Sequence, residues 1–168
     1  MGWGKLQTAL DIIYPLRCVA CGGYVESDYG LCGTCWRQVH FMWGTGCWTC
    51  GLSLPGYLDA SEPVICDSCL SLDPPWRRGV AALAYDETGR SLVLALKHGD
   101  RHDIVRPAAD WMAQVSRVLV QPNMLVAPVP LHWTLLFRRR YNQAALLSAA
   151  SAKRLDLSHC ADLLICSS

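Results

Sequence analysis

Four Cys-x-x-Cys pairs between Cys18 and Cys69, a rise in aliphatic content beyond Pro75 and a β-α-α-β-α order of elements after it predict a two-part fold. The expected parts are a small zinc-ribbon module and then an α/β region with an incomplete parallel sheet. The chain has 168 residues, 52% hydrophobic and 17% charged, which excludes a disordered or fibrous protein. No apolar run approaches the roughly 20 residues of a membrane span. Residues Met1 to Pro15 lack a basic region followed by an apolar core and a small-residue cleavage site, so the expected compartment is cytoplasmic. In that setting ten cysteines read as metal ligands or redox groups before disulfides.

The elements follow in order. Leu6, Leu10 and Ile13 share one helical face, which predicts an N-terminal helix within residues 1–17, stopped by Pro15. Residues 18–73 are rich in Gly, Ser and Thr and poor in aliphatic side chains, so they need a source of stability other than a core. Asp73-Pro74-Pro75 reads as the boundary. In residues 77–168, Val80 to Tyr85 reads as a strand and Ser91 to Lys97 as a helix with Gly99 as its C-terminal cap. Ile104 to Val120 reads as a longer helix with Pro107 in its first turn. Met124 to Val129 reads as a second strand and Asn142 to Leu155 as a final helix.

The cysteine pairs are Cys18/Cys21, Cys32/Cys35, Cys47/Cys50 and Cys66/Cys69, separated by ten, eleven and fifteen residues. A Cys-x-x-Cys turn places two thiolates on one side of a tight loop, and two such turns complete a tetrahedron around zinc. Gly22 and Gly51, each directly after a pair, supply the backbone freedom that turns amides toward sulfur. Two four-cysteine zinc sites are therefore expected. Pairing of sequence neighbours is the simplest arrangement, although spacing alone does not fix it. A thioredoxin-type redox motif needs one such pair at a helix start in a βαβ setting, and a disulfide framework suits a secreted chain; both fit less well. His40 reads as a surface histidine before a ligand, and Cys160 and Cys166 as plain thiols.

Charge separates the two parts. Residues 1–76 carry three basic and seven acidic side chains, a net of −4, and residues 77–168 carry twelve and seven, a net of +5. Each zinc with four thiolates adds a formal −2, taking the first part to −8. Phosphate binding needs clustered Lys and Arg. The ribbon is thus expected to be structural or protein-facing, with direct nucleic-acid contact the weaker reading.

The densest signal in the basic part runs from Val126-Ala127-Pro128-Val129-Pro130-Leu131 to Phe137-Arg138-Arg139-Arg140-Tyr141-Asn142-Gln143-Ala144. A loop after a parallel strand that feeds a helix N-terminus is where α/β proteins bind anions, and arginine suits phosphate through its planar fork. Three arginines alone would read as a solvated basic loop. The strand, prolines, arginines and Asn142 cap together favour phosphate. His132 reads as a surface residue.

These features resemble the competence-protein ComF family, over nearly the whole chain. The resemblance rests on Ile13-Tyr14-Pro15, the four cysteine pairs, Ala95-Leu96-Lys97-His98-Gly99-Asp100 and, most specifically, Val126 to Leu147. It implies a double zinc ribbon with two zinc ions, followed by a type I phosphoribosyltransferase-like domain. By position it implies that Pro128, Val129, Pro130, Leu131, Arg138, Arg139 and Arg140 face the diphosphate of phosphoribosyl pyrophosphate (PRPP), with Mg²⁺ accompanying that ligand. Lys97 matches a family lysine near the end of the first helix, although a cation at a helix C-terminus needs no ligand to explain it. The implied setting is DNA uptake, with a DNA-uptake or DNA-processing protein as partner. The family's later loop of two acidic residues and Thr-Thr-Gly-x-Thr has no match here. Leu125 to Val129 is apolar on both faces, as in a covered central strand, and only Val80 to Tyr85 or Leu163 to Cys166 stand ready to pair with it. The expectation is a shortened domain that does not complete the transfer reaction.

Overall fold

A computed structural model describes residues 16–25, 30–43, 46–54, 62–98 and 101–166. The expected N-terminal helix and the Gly99 cap lie outside these residues. Two compact units share the chain: the described residues up to His40 together with Tyr85–Pro107, and Phe41–Ala84 together with the residues from Ala108 onward. Each unit contains two of the cysteine pairs.

In the first unit, the second cysteine pair opens a short helix, α1 (Gly33–Gln38), whose N-cap is Cys32. A longer helix, α3, covers Glu87–His98. It begins four residues before the expected Ser91 because Asp86 accepts a bond from the Gly89 N–H at 2.9 Å. That satisfies an orphan amide of the first turn, and Glu87 complements the helix dipole there. Leu92 and Leu96, one turn apart, are buried, as are Val19, Leu31, Val39 and Ile104. The approach between ribbon and helical segments is close. A side chain on Gly30 would place its Cβ 2.6 Å from Pro107 Cβ, and Arg101 Nη2 donates to the Val19 carbonyl at 3.3 Å.

In the second unit, α2 (Asp67–Leu72) follows the last cysteine pair, and α4 runs over Val105–Ser116 with its first turn in the other unit. Single turns of tighter helix at His102–Ile104 and Arg117–Leu119 flank α4, so the expected Ile104–Val120 helix is three segments. Strand β1 is Leu125–Val126, shorter than the expected Met124–Val129, and α6 is Gln143–Leu155 with Asn142 as its N-cap. Beyond α6, β2 (Ser158–His159) pairs parallel with β1, Leu125 opposite Ser158 and Val126 opposite His159. Helix α6 packs on both strands. Ser148 Oγ, which donates to the Ala145 carbonyl, lies 2.9 Å from His159 Nε2 and fastens α6 to β2.

Three expectations are corrected. Val80–Tyr85 is not a strand of the parallel sheet; it makes an isolated antiparallel bridge, Leu83 with Phe41. Its neighbouring backbone is already committed to the ribbon, since a Cβ on Gly51 would lie 2.8 Å from Val80 Cα and one on Gly79 would lie 2.8 Å from Thr49 O. Leu163–Cys166 has no regular structure, and the polar pair Ser158–His159 takes the place beside β1. The stretch between Leu131 and Asn142, read as a loop, contains helix α5 (Trp133–Arg139). His132 Nδ1 caps it by accepting from Thr134 N at 3.4 Å, and Arg140 ends it in the left-handed region at φ 64°. The sheet among the described residues has two parallel strands. That is an α/β arrangement without the strand order that would define a phosphoribosyltransferase.

The knuckle glycines yield a paired prediction. Gly22 and Gly51 have φ of +74° and +76°, but a Cβ on Gly22 meets nothing within 4 Å. Gly22→Ala should cost only the left-handed conformation, about 1 kcal/mol. Gly51→Ala adds a clash with rigid backbone and should cost roughly 2–4 kcal/mol. Denaturant unfolding of zinc-loaded protein measures both; equal losses, or the reverse order, would contradict the close approach at Gly51.

Candidate metal centres

The eight paired cysteines gather into two groups: Cys18, Cys21, Cys32 and Cys35, and Cys47, Cys50, Cys66 and Cys69. Within each group every sulfur lies within 4.8 Å of the others. Sequence neighbours therefore share a site. Local structure explains how. In each first knuckle the glycine after the pair turns back, Gly22 N donating to Cys18 O and Gly51 N to Cys47 O, both at 2.8 Å. A second bond closes each loop at 2.7 Å, from Cys18 N to Gly23 O and from Cys47 N to Leu52 O. In each second knuckle the first cysteine sits at the N-cap of a six-residue helix, Cys32 before α1 and Cys66 before α2. The two sites are structural repeats of one another.

The geometry fits zinc. Zinc–thiolate bonds of 2.3 Å in a tetrahedron put neighbouring sulfurs about 3.8 Å apart. Cys21 and Cys32 Sγ are 3.8 Å apart, and so are Cys50 and Cys66 Sγ. Amides aim at the sulfurs as well: Cys32 N donates to Cys18 Sγ and Cys66 N to Cys47 Sγ, each at 3.3 Å. Burial works to raise the Cys18 thiol, but the amides of Cys21, Cys32 and Ala20 outweigh it and bring the pKa down to about 6. Cys47 is held at about 6 in the same way, burial being outweighed by the amides of Cys66, Cys50 and Thr49. Cys35 and Cys69 go strongly upward, through burial first and then through the neighbouring sulfurs. Four sulfurs that cannot all ionise side by side make a site that calls for a divalent cation. With four thiolates the tetrahedron is closed, so each zinc would be structural, with no open position for a substrate.

Residues 9–70 match the family described as a double zinc ribbon domain. Competence protein F of Haemophilus influenzae (strain ATCC 51907 / DSM 11121 / KW20 / Rd) is 29% identical over 150 residues. The alignment covers 86% of this chain and spans 62% of the length of that relative. No solved structure matches the chain.

The remaining expected site residues lie in the loop after β1, at the end of α5 and in the last turn of α3. Pro128 is buried, Pro130 and Leu131 half-buried, and Val129 exposed, in the loop that leaves β1. Asn142 ties this loop to α6: its side-chain nitrogen donates to Val129 O at 3.2 Å while its oxygen accepts from Ala144 N at 2.9 Å. Arg138 and Arg139 end α5 and Arg140 is its cap, with Arg139 half-buried and the other two exposed. Lys97 is exposed in the last turn of α3, in the first unit. His40 joins neither sulfur group; its Nδ1 pairs with Asp86. Cys160 and Cys166 also lie outside both groups, and Cys160 N extends the β1–β2 ladder by donating to Val126 O at 3.0 Å.

Two contacts of the second ribbon carry no sequence signal of their own. The Arg78 guanidinium lies over the Trp48 ring, 3.7 Å from its centroid, and donates to Val118 O at 3.2 Å. Trp76 Nε1 donates to Thr49 O at 2.8 Å. Both fasten the knuckle Cys47-Trp48-Thr49-Cys50 to residues distant in sequence.

Metal analysis of purified protein should return two zinc ions per chain, and Cys35→Ser should retain one, because the sulfur groups share no ligand. A single zinc in the unsubstituted chain, or loss of both in the variant, would contradict two independent sites.

Proposed function

We propose that this ComF-like chain is a zinc-stapled, phosphoribosyltransferase-like protein that holds the diphosphate end of PRPP. The observation that carries the reading is the pair of hydrogen bonds made by the Asn142 side chain, which fastens the Pro128–Leu131 loop onto the N-terminus of a thirteen-residue helix. A helix start gathers unpaired amides and positive potential, and anions bind there. Arg138, Arg139 and Arg140 stand directly before it and supply charge-assisted donors of the planar kind that phosphate favours. Mg²⁺ would arrive bound to the diphosphate. Because these 168 residues contain no Thr-Thr-Gly-x-Thr loop, the reading covers binding of the diphosphate and not transfer of the ribose. The name of the Haemophilus relative supports a place in competence; the partner this reading expects is a protein of DNA uptake or processing.

A second reading makes the double ribbon itself the working part, a docking module for a protein partner. The exposed Trp36, directly after the second pair, and Trp48, inside the third, favour it, as does the shortage of basic side chains over residues 1–76. Direct nucleic-acid contact by the ribbon has less support.

Calorimetric titration of Mg²⁺–PRPP, with pyrophosphate in parallel, into zinc-loaded protein tests the first reading. Both ligands should bind, and Arg139→Ala should weaken both about tenfold, near 1.4 kcal/mol. No heat from either ligand, with protein shown to be folded, would remove the diphosphate reading and leave the ribbon as the functional part.

A further inference from the structure

Helix α5 carries Trp133, Leu136 and Phe137 at i, i+3 and i+4, the spacing of a single helical face. Such a triad normally lies against a core. Here Trp133 is 72% exposed and Phe137 88% exposed. Together with Arg138 and Arg140, the three apolar side chains line an open groove; Arg139 does not line it. The groove is pre-formed at both ends. His132 caps the start of α5, and Arg140, in the left-handed conformation, donates its N–H to Leu136 O at 2.7 Å. Surface held in this way loses little freedom when something docks on it.

Charge says what fits. From Trp111 to Leu155 the chain contains no Asp or Glu and six basic residues: Arg117, Arg138, Arg139, Arg140, Lys153 and Arg154. Arg154 is engaged by Asp110. Arg138 and Arg140, at the edge of the groove, form no ion pair among the described residues. An apolar groove edged by uncompensated arginines complements an apolar side chain flanked by carboxylates.

We infer that the α5 groove docks an acidic amphipathic protein segment, which seats a large apolar side chain among Trp133, Leu136 and Phe137 and pairs its carboxylates with Arg138 and Arg140. A free diphosphate has no use for two exposed aromatic rings. Apolar anchors at i, i+3 and i+4 are the register in which amphipathic helices dock. The inference does not depend on the diphosphate reading, whose test residue, Arg139, stands outside the groove.

The test uses the full zinc-loaded chain and fluorescence anisotropy with a labelled synthetic peptide carrying Leu at i, i+3 and i+4 and Glu between. Its Glu→Gln analogue, an oligothymidylate and phosphatidylglycerol vesicles serve as competing probes. The acidic peptide should bind in a salt-sensitive way. Phe137→Ser and the double variant Arg138→Glu/Arg140→Glu should each weaken it at least about tenfold, the loss typical of a central anchor. A Glu→Lys peptide should recover binding to the double variant. Both sites are exposed, and unchanged zinc content and circular dichroism confirm folding; Trp133→Ser is the substitute if either variant misfolds. The proposal is overturned if the acidic peptide does not bind, or if it binds Phe137→Ser undiminished. It is also overturned if the Gln analogue binds equally well. Tighter, Phe137-dependent binding of the oligonucleotide or the vesicles would give the groove to nucleic acid or membrane and overturn it too. So would concentration-dependent dimerisation that Phe137→Ser abolishes.

Discussion

The gathering of four sulfurs at each of two sites, a donor set that fits zinc, is the constraint from which the rest of this structure follows. Residues 18–69 contain too few aliphatic side chains to close a core, and the buried positions in the knuckles belong largely to the cysteines themselves. Structural zinc in small peptides contributes on the order of 10–16 kcal/mol of folding energy. That exceeds the roughly 3–5 kcal/mol of net stability that a single core of this size supplies. The sulfurs are held by the same device twice: a left-handed glycine after the first pair, an amide of the second pair aimed back at the first cysteine, and a short helix growing from the last knuckle. Such repetition is expected when a metal, and not a core, dictates local geometry.

The ribbons are consecutive in sequence yet fold with different company. The first shares a unit with Glu87–His98 and the turn after it, through the contact of Gly30 with Pro107 and the bond from Arg101 to Val19. The second shares a unit with residues 76–84 and the α/β segment, through Gly51 against Val80 and Arg78 over Trp48. Each four-cysteine site is therefore packed with structure beyond its own knuckles. The close approaches at Gly30 and Gly51 leave no room for a side chain, so glycine there serves the contact as well as the turn.

How legible this was in the sequence depended on how local the cause was. Cysteine pairs fold by short-range geometry, and their spacing announces both sites. Helix α6 is announced by Asn142, whose side chain caps it. Helix α5 was missed because its signal is a histidine cap and seven residues with an exposed apolar face, which resembles neither a core helix nor a polar loop. Val80–Tyr85 carries the composition of a strand, but contacts with the ribbon, invisible in a local window, take its backbone elsewhere. Strand β2 is two polar residues, selected by pairing with β1 and not by its own pattern.

The chain thus joins two four-cysteine ribbons to a small α/β region that carries the proposed anion site and the proposed docking groove. The central claim, that zinc supports helices as well as knuckles, is tested most directly by hydrogen exchange with and without a strong chelator. Stripping zinc should speed exchange at the knuckle amides and equally across Glu87–His98, whose Leu92 and Leu96 are buried in the first unit. Protection of Glu87–His98 that survives complete zinc removal would contradict the account.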